Sequence, residues 1–142
     1  HWKLWTECFN LDEPFLILEH DAVFLKRLDL EKVVKETPYD ITGINNPLGA
    51  TRLSSDFHRT IMMTNGEYQR APEIDHLSIP QGLAGNSAYI IKPKGAEHMI
   101  ELVHEYGAWP NDAIMCRQLV PSLGVTKTFY TQVQGRKSTT TL

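Results

Sequence analysis

Positive charge is in short supply in this sequence. Its 142 residues carry 14 Lys and Arg against 17 Asp and Glu, a formal net charge of −3. Binding a polyanion needs clustered cations, so no nucleic-acid partner is expected. Long apolar runs are missing too. Phe15–Leu18 is among the longest, far short of the about 20 residues that span a bilayer. No basic segment followed by an apolar one opens the chain, so neither a signal peptide nor a transmembrane segment is expected. Cysteine is scarce: Cys8 and Cys116 cannot build a disulfide framework and suit a reducing compartment. The expected location is cytoplasmic, with peripheral attachment to a membrane compatible with it. No Gly-x-Ser-x-Gly elbow, P-loop or dinucleotide fingerprint occurs. Repeats, low-complexity tracts and flexible linkers are also lacking.

What is present fits one folded domain over residues 1–142. Hydrophobic residues make up 42% and charged residues 22%, which argues against disorder. A chain of this length buries roughly two-thirds of its unfolded surface. It begins at His1 without methionine, inside a dense aromatic segment, so a fragment or processed product is expected.

Periodicity predicts the elements. Residues 2–9 place Leu4, Trp5, Cys8 and Phe9 on one side of a helix. Phe15–Leu18 reads as a strand buried on both faces of a parallel or mixed sheet. Residues 29–36 read as a short helix capped by Asp29 and ended by Pro38, with Leu30, Val33 and Val34 inward. Residues 39–44 make a plausible second strand. Ile61, Met62 and Met63 before Asn65-Gly66 signal a hairpin within a long irregular stretch, residues 45–84. Ala88–Ile91 is another strand. Pro93–Tyr106 is a helix with Ala96, Met99, Ile100, Val103 and Tyr106 on its buried stripe and Gly107 as its stop. Asp112 could cap a last helix over residues 113–119, and residues 129–142 form a polar, fraying tail. Strands alternating with helices give an α/β layered fold.

The strongest chemical signal is Glu19-His20-Asp21 at the end of the first strand. Strand alternation would set Glu19 and Asp21 on one side and His20 on the other. Two like charges so close need neutralising, and a hard divalent cation such as Mg²⁺ or Mn²⁺, bridging to a diphosphate, would do it. An exposed acidic turn, with Asp21 capping the next segment, is the plain alternative. Gly82, Gly85 and Asn86 could bring backbone close to a sugar, or simply form a turn before a strand. His98 and Glu101 could hold a metal at i, i+3, but with His104 and Glu105 they read better as a solvated helix face. Trp109 could stack on a sugar ring or pack at the rim. Cys8 and Cys116 read as buried apolar residues.

A buried strand ending in acids, behind a His-Trp helix, resembles glycosyltransferase family 25, the lipopolysaccharide and collagen sugar transferases. His1-Trp2-Lys3-Leu4-Trp5 resembles the end of the family's Ser-His helix, and Phe15 to Asp21 its metal-motif strand. Tyr39-Asp40-Ile41 resembles its Trp-Asp strand. Gly85 to Ile91 with Pro93 to Ala96 is similar to its Gly-Thr-x-Ala-Tyr-Ile-Ile segment. Trp109-Pro110-Asn111-Asp112 resembles its Pro-Val-Asp, and Gln132 to Thr139 its closing segment. Two departures stand out: His20 replaces the usual middle Asp, and the family's N-terminal strand and helices are missing.

The resemblance implies an N-terminally truncated GT-A-like fold, a mixed sheet flanked by helices. It implies inverting transfer of a hexose from a nucleotide diphosphate sugar, UDP-hexose by expectation, to a saccharide or other hydroxyl acceptor. Glu19 and Asp21 would hold Mn²⁺ or Mg²⁺ and, with Asn86, the donor. Asp112 would be the catalytic base, its alternative role being a helix N-cap. A truncated sheet edge could pair with a second copy to make a homo-oligomer. A non-catalytic carbohydrate-binding or scaffolding remnant of the same fold is the main rival, and a metal-dependent hydrolase the second.

Overall fold

The first eleven residues contain neither Gly nor Pro and carry Trp5 and Cys8 one turn apart, so they coil as α1 (Trp2–Leu11). In this computed structural model, which describes residues 1–50 and 53–135, those two side chains are buried, while Leu4 and Phe9, expected beside them, are largely exposed. The helix stops where Asp12 turns left-handed, at φ 53°. An extended segment follows as β1 (Phe15–Leu18), and a turn leads to β2 (Ala22–Phe24). Asp29 then caps α2 (Leu30–Glu36) as its sequence position predicts, accepting from the Lys32 N–H at 3.1 Å. Such a cap is worth about 1 kcal/mol.

The second predicted strand is β3 (Ile41–Gly43). The irregular stretch corrects the expectation most: it folds into α3 (Ser54–Met63) and β4 (Tyr68–Arg70). No hairpin forms at Asn65-Gly66. Phe57 and Ile61 lie four apart and are both buried, whereas Met62 and Met63 face outward, so the apolar triplet belongs to a helix. The small hairpin lies further on, between β5 (Asp75–His76) and β6 (Ile79–Pro80). Its two turn residues, Leu77 and Ser78, have φ of 51° and 64°, values that side chains other than Gly and Asn seldom adopt.

Then come β7 (Ala88–Ile91) and α4 (Pro93–Tyr106), both within their predicted bounds, with Gly107 closing the helix at φ 91°. Leu102 is buried on the α4 stripe, while Tyr106 is exposed. The last helix, α5 (Asn111–Ile114), is shorter than expected. Its N-cap is Pro110, so Asp112 sits in the first turn and does not cap. Two strands not foreseen, β8 (Leu123–Thr126) and β9 (Thr131–Val133), close the described chain. Residues 136–139 of the family-like closing segment, and the tail beyond them, lie outside the described residues.

Five strands form one sheet in the order β1-β7-β3-β8-β4. Only β3 and β8 run parallel, and the other pairings are antiparallel, so the sheet is mixed. β1 lies at its edge with only Ile17 fully buried, rather than being covered on both faces. Alternation along β7 sends Tyr89 and Ile91 into the larger core, which also takes in Trp5, Cys8, Phe57 and Met99 from the helices. Ala88 and Ile90 face the other way, toward Val33 and Ile44. Helices therefore flank the sheet, and each fully buried Ile or Leu contributes about 1.5–3 kcal/mol. No helix of the described residues is long and apolar enough to cross a membrane.

Candidate functional site

Antiparallel pairing of β1 with β7 sets Leu18 opposite Ala88. One residue further, the Glu19 N–H donates to the Ser87 carbonyl at 2.8 Å. The strand ends there. Glu19 to Ala22 form a turn closed by the Ala22 N–H on the Glu19 carbonyl at 3.1 Å. The expected strand alternation of Glu19 and Asp21 therefore does not apply. A turn brings the two carboxylates together, with His20 exposed at its tip.

Glu19 is tied at both oxygens. His1 Nε2 lies 3.1 Å from Oε1, and the Ser87 hydroxyl donates to Oε2 at 3.4 Å. Burial pushes its pKa above the ordinary carboxylate range, and the charges of Asp21 and Asp112 push the same way. Asp112 is thus drawn into the same field as the acidic turn, although α5 follows it by some ninety residues. Asp21 Oδ1 is buried and has no hydrogen-bond partner among the described residues, nor has either amide atom of Asn86, a side chain 6% exposed. Asn111 Nδ2 is orphaned likewise.

The loop of residues 82–87 links these groups. At one end the Leu83 N–H donates to the Met115 carbonyl at 2.8 Å. Gly82 comes so close to α5 that an added Cβ would lie 1.5 Å from the Asp112 carbonyl oxygen. Gly85, at φ 90°, turns the loop against Asn45. Ser87 then meets Glu19. The structure thus groups Glu19, Asp21, Asn86 and Asp112 around one loop. It adds His1 and Ser87, which no local spacing could have revealed, because their partner Glu19 lies far along the chain, and the unpartnered Asn111 beside Asp112.

Among the described residues, no group of three or more His, Cys, Asp or Glu is arranged to hold a metal ion. The acidic turn does fit the way Mg²⁺-like ions are held, by one or two carboxylates together with substrate phosphates. Asp21 Oδ1 is the atom best placed for it, being buried and uncommitted. The other candidates are occupied structurally. His98 Nε2 lies 2.8 Å from the Leu119 carbonyl, and His104 packs edge-on against Trp2. Trp109 is 63% exposed at the rim, its indole N–H on the Tyr106 carbonyl. Cys8 and Cys116 are buried and free, and burial pushes the Cys8 thiol upward, away from reactivity.

A carboxyl group raised in the folded state binds protons that the unfolded chain has released. Ionised Glu19 therefore destabilises the fold above the ordinary carboxylate range, and the penalty vanishes below it. Glu19→Gln will raise the unfolding midpoint at pH 7, with the gain fading as the pH falls toward 4. Thermal unfolding across that range measures it. A gain that is constant with pH would contradict the assigned shift.

The model of glycosyltransferase family 25 (LPS biosynthesis protein) matches residues 1–115. That span contains the acidic turn, the 82–87 loop and Asp112. No curated protein and no solved structure matches the chain. With the match covering well over half its length, the chain belongs to glycosyltransferase family 25.

Proposed function

We propose that this domain has a GT-A-type fold and transfers a hexose from a nucleotide diphosphate sugar to a hydroxyl acceptor, with inversion at the anomeric carbon. The observation that carries this reading is the convergence of Glu19, Asp21 and Asp112 beside buried, unpartnered polar atoms of Asp21 and Asn86. Orphaned buried donors and acceptors are rare and call for a partner, ordered water or a ligand, that satisfies them. A nucleotide sugar offers hydroxyls for the Asn86 amide and phosphates beside the acidic turn.

Glu19 and Asp21 would hold Mn²⁺ or Mg²⁺, which when bound supplies charge stabilisation to the departing diphosphate. Asn86 would orient the donor through its two amide atoms. Asp112, exposed at the start of α5, would take the proton from the acceptor hydroxyl as its oxygen attacks the anomeric carbon. The bond from that carbon to the diphosphate oxygen breaks, and the nucleoside diphosphate leaves with the electron pair. His20, at the exposed tip of the turn, lies where it need not contribute a ligand.

Calorimetric titration of UDP into the protein, with and without Mn²⁺, tests the reading. Binding that requires the metal is the expected result. Metal-indifferent, saturable binding of a free sugar would favour a carbohydrate-binding module instead. In a transfer assay, Asp112→Asn will lower turnover about 10²–10⁴-fold with little change in donor KM, the size of a lost general base. Intact turnover would remove Asp112 from that role.

A further inference from the structure

Four side chains from three elements form one hydrogen-bonded line that ends at the acidic turn. Trp5 Nε1 lies 2.9 Å from the Tyr89 hydroxyl, and that hydroxyl lies 2.8 Å from His1 Nδ1. His1 Nε2 in turn lies 3.1 Å from Glu19 Oε1. The imidazole stacks on the Tyr89 ring at a centroid distance of 5.8 Å and an interplanar angle of 17°. Tyr89 is fully buried in the centre of β7.

The donor inventory gives the line a direction. An indole nitrogen can only donate, so the Tyr89 oxygen accepts from Trp5. When the imidazole is neutral, the hydroxyl's single hydrogen has His1 Nδ1 as the acceptor in reach, and Nδ1 is then bare. Burial also keeps that hydrogen in place by raising the phenol pKa. A neutral imidazole with a bare Nδ1 carries its hydrogen on Nε2, facing Glu19. The opposite tautomer would set a nitrogen lone pair against carboxylate lone pairs. Every donor and acceptor in the line is used once.

We propose that His1 is a positioning residue whose Nε2–H, set by the Trp5–Tyr89 pair, fixes the Glu19 carboxylate in the orientation the site uses. The inference rests on the reading of Glu19 as part of the donor and metal site. Glu19 needs such a hold, because Asp21 and Asp112 both repel it and a free side chain would swing away. The Ser87 hydroxyl fastens the second oxygen from the other side. Outer groups of this kind change metal affinity or activity about 10–100-fold when removed.

The test joins two readouts. Long-range ¹H–¹⁵N spectra of the protein report which nitrogen of His1 carries hydrogen and need no substitution. Paramagnetic resonance follows Mn²⁺ binding in the presence of UDP for the wild type, His1→Ala, His1→Gln, Tyr89→Phe and the His1→Ala/Tyr89→Phe pair. The expected spectrum places hydrogen on Nε2 and shows that signal moving in Glu19→Gln. His1→Ala will weaken Mn²⁺ binding about 10–100-fold. His1→Gln, whose amide can still donate to Glu19, will recover most of it. The double variant will bind no more weakly than His1→Ala alone, since Tyr89 acts through His1. Hydrogen on Nδ1, an unchanged affinity in His1→Ala, or additive losses in the double variant would each overturn the proposal. If the wild type itself binds no Mn²⁺ with UDP, the proposed function fails, and the imidazole spectrum still decides whether His1 holds Glu19.

Discussion

Asp21→Ala will abolish metal-dependent UDP binding while leaving the protein folded. Asp21 offers a buried carboxylate oxygen with no partner among the described residues, so the truncation breaks no side-chain hydrogen bond there. What disappears is one of the two charges that, in the proposed function, would face the cation. Carboxylate contacts to a divalent ion contribute several kcal/mol, and each 1.4 kcal/mol is tenfold in affinity. A fall of about 100-fold or more in calorimetric titrations with Mn²⁺ is therefore expected, with the metal-free titration unchanged. The fold will not suffer, since the same change removes a neighbour that pushes Glu19 toward its neutral form. Wild-type affinity in Asp21→Ala, with Mn²⁺ present, would remove the acidic turn from the site.

Gly82→Ala will damage stability and activity together. Its Cβ would lie 1.5 Å from the Asp112 carbonyl oxygen and 2.6 Å from the carbonyl carbon. Those are backbone atoms and cannot swing aside, so either the 82–87 loop or the start of α5 must move. Overpacking of this kind costs about 1–3 kcal/mol, occasionally more. The move also separates Asp112 from Asn86, and a misplacement of about 1 Å can lower a rate about 100-fold. Gly49→Ala is the control. Gly49 has φ 81° but open space around the added atom, so it should lose only a modest amount of stability through backbone strain. Denaturant unfolding and transfer rates on both variants measure the difference. Equal rates for Gly82→Ala and the wild type would separate the loop contact from the site.

Elements with strong local chemistry were legible in the sequence. Pro93 and Gly107 bracket α4, Asp29 caps α2, and the apolar blocks of β1 and β7 stand out against polar neighbours. The acidic turn was visible as chemistry, though misread as strand geometry, because four apolar residues do not reveal where pairing stops. Pairing stops at Leu18 because β7 begins opposite it at Ala88. The short strands β8 and β9 were hidden for a similar reason. Leu-Gly-Val-Thr and Thr-Gln-Val show little pattern of their own, and partners distant in sequence make them strands. Helix α3 was missed because Ile61, Met62 and Met63 draw attention from the Phe57–Ile61 spacing. Of the site, Glu19, Asp21, Asn86 and Asp112 could be named from motif order. His1 and Ser87 could not: the register of β1 on β7 brings Ser87 to Glu19, and the placement of α1 brings His1 there.

That register carries a kinetic consequence. Glu19 and Ser87 stand 68 positions apart along the chain, and His1 and Tyr89 stand 88 apart. Contacts between such distant segments form only after long loops have closed, which slows folding and concentrates it in few steps. The candidate site therefore has no precursor in any short stretch of the nascent chain. It comes into being when the edge strand seats on the sheet centre and is lost when that strand peels away. Competence to bind thus tracks one cooperative unit of the molecule, and anything that loosens β1 is felt at the acidic turn before the rest of the core notices.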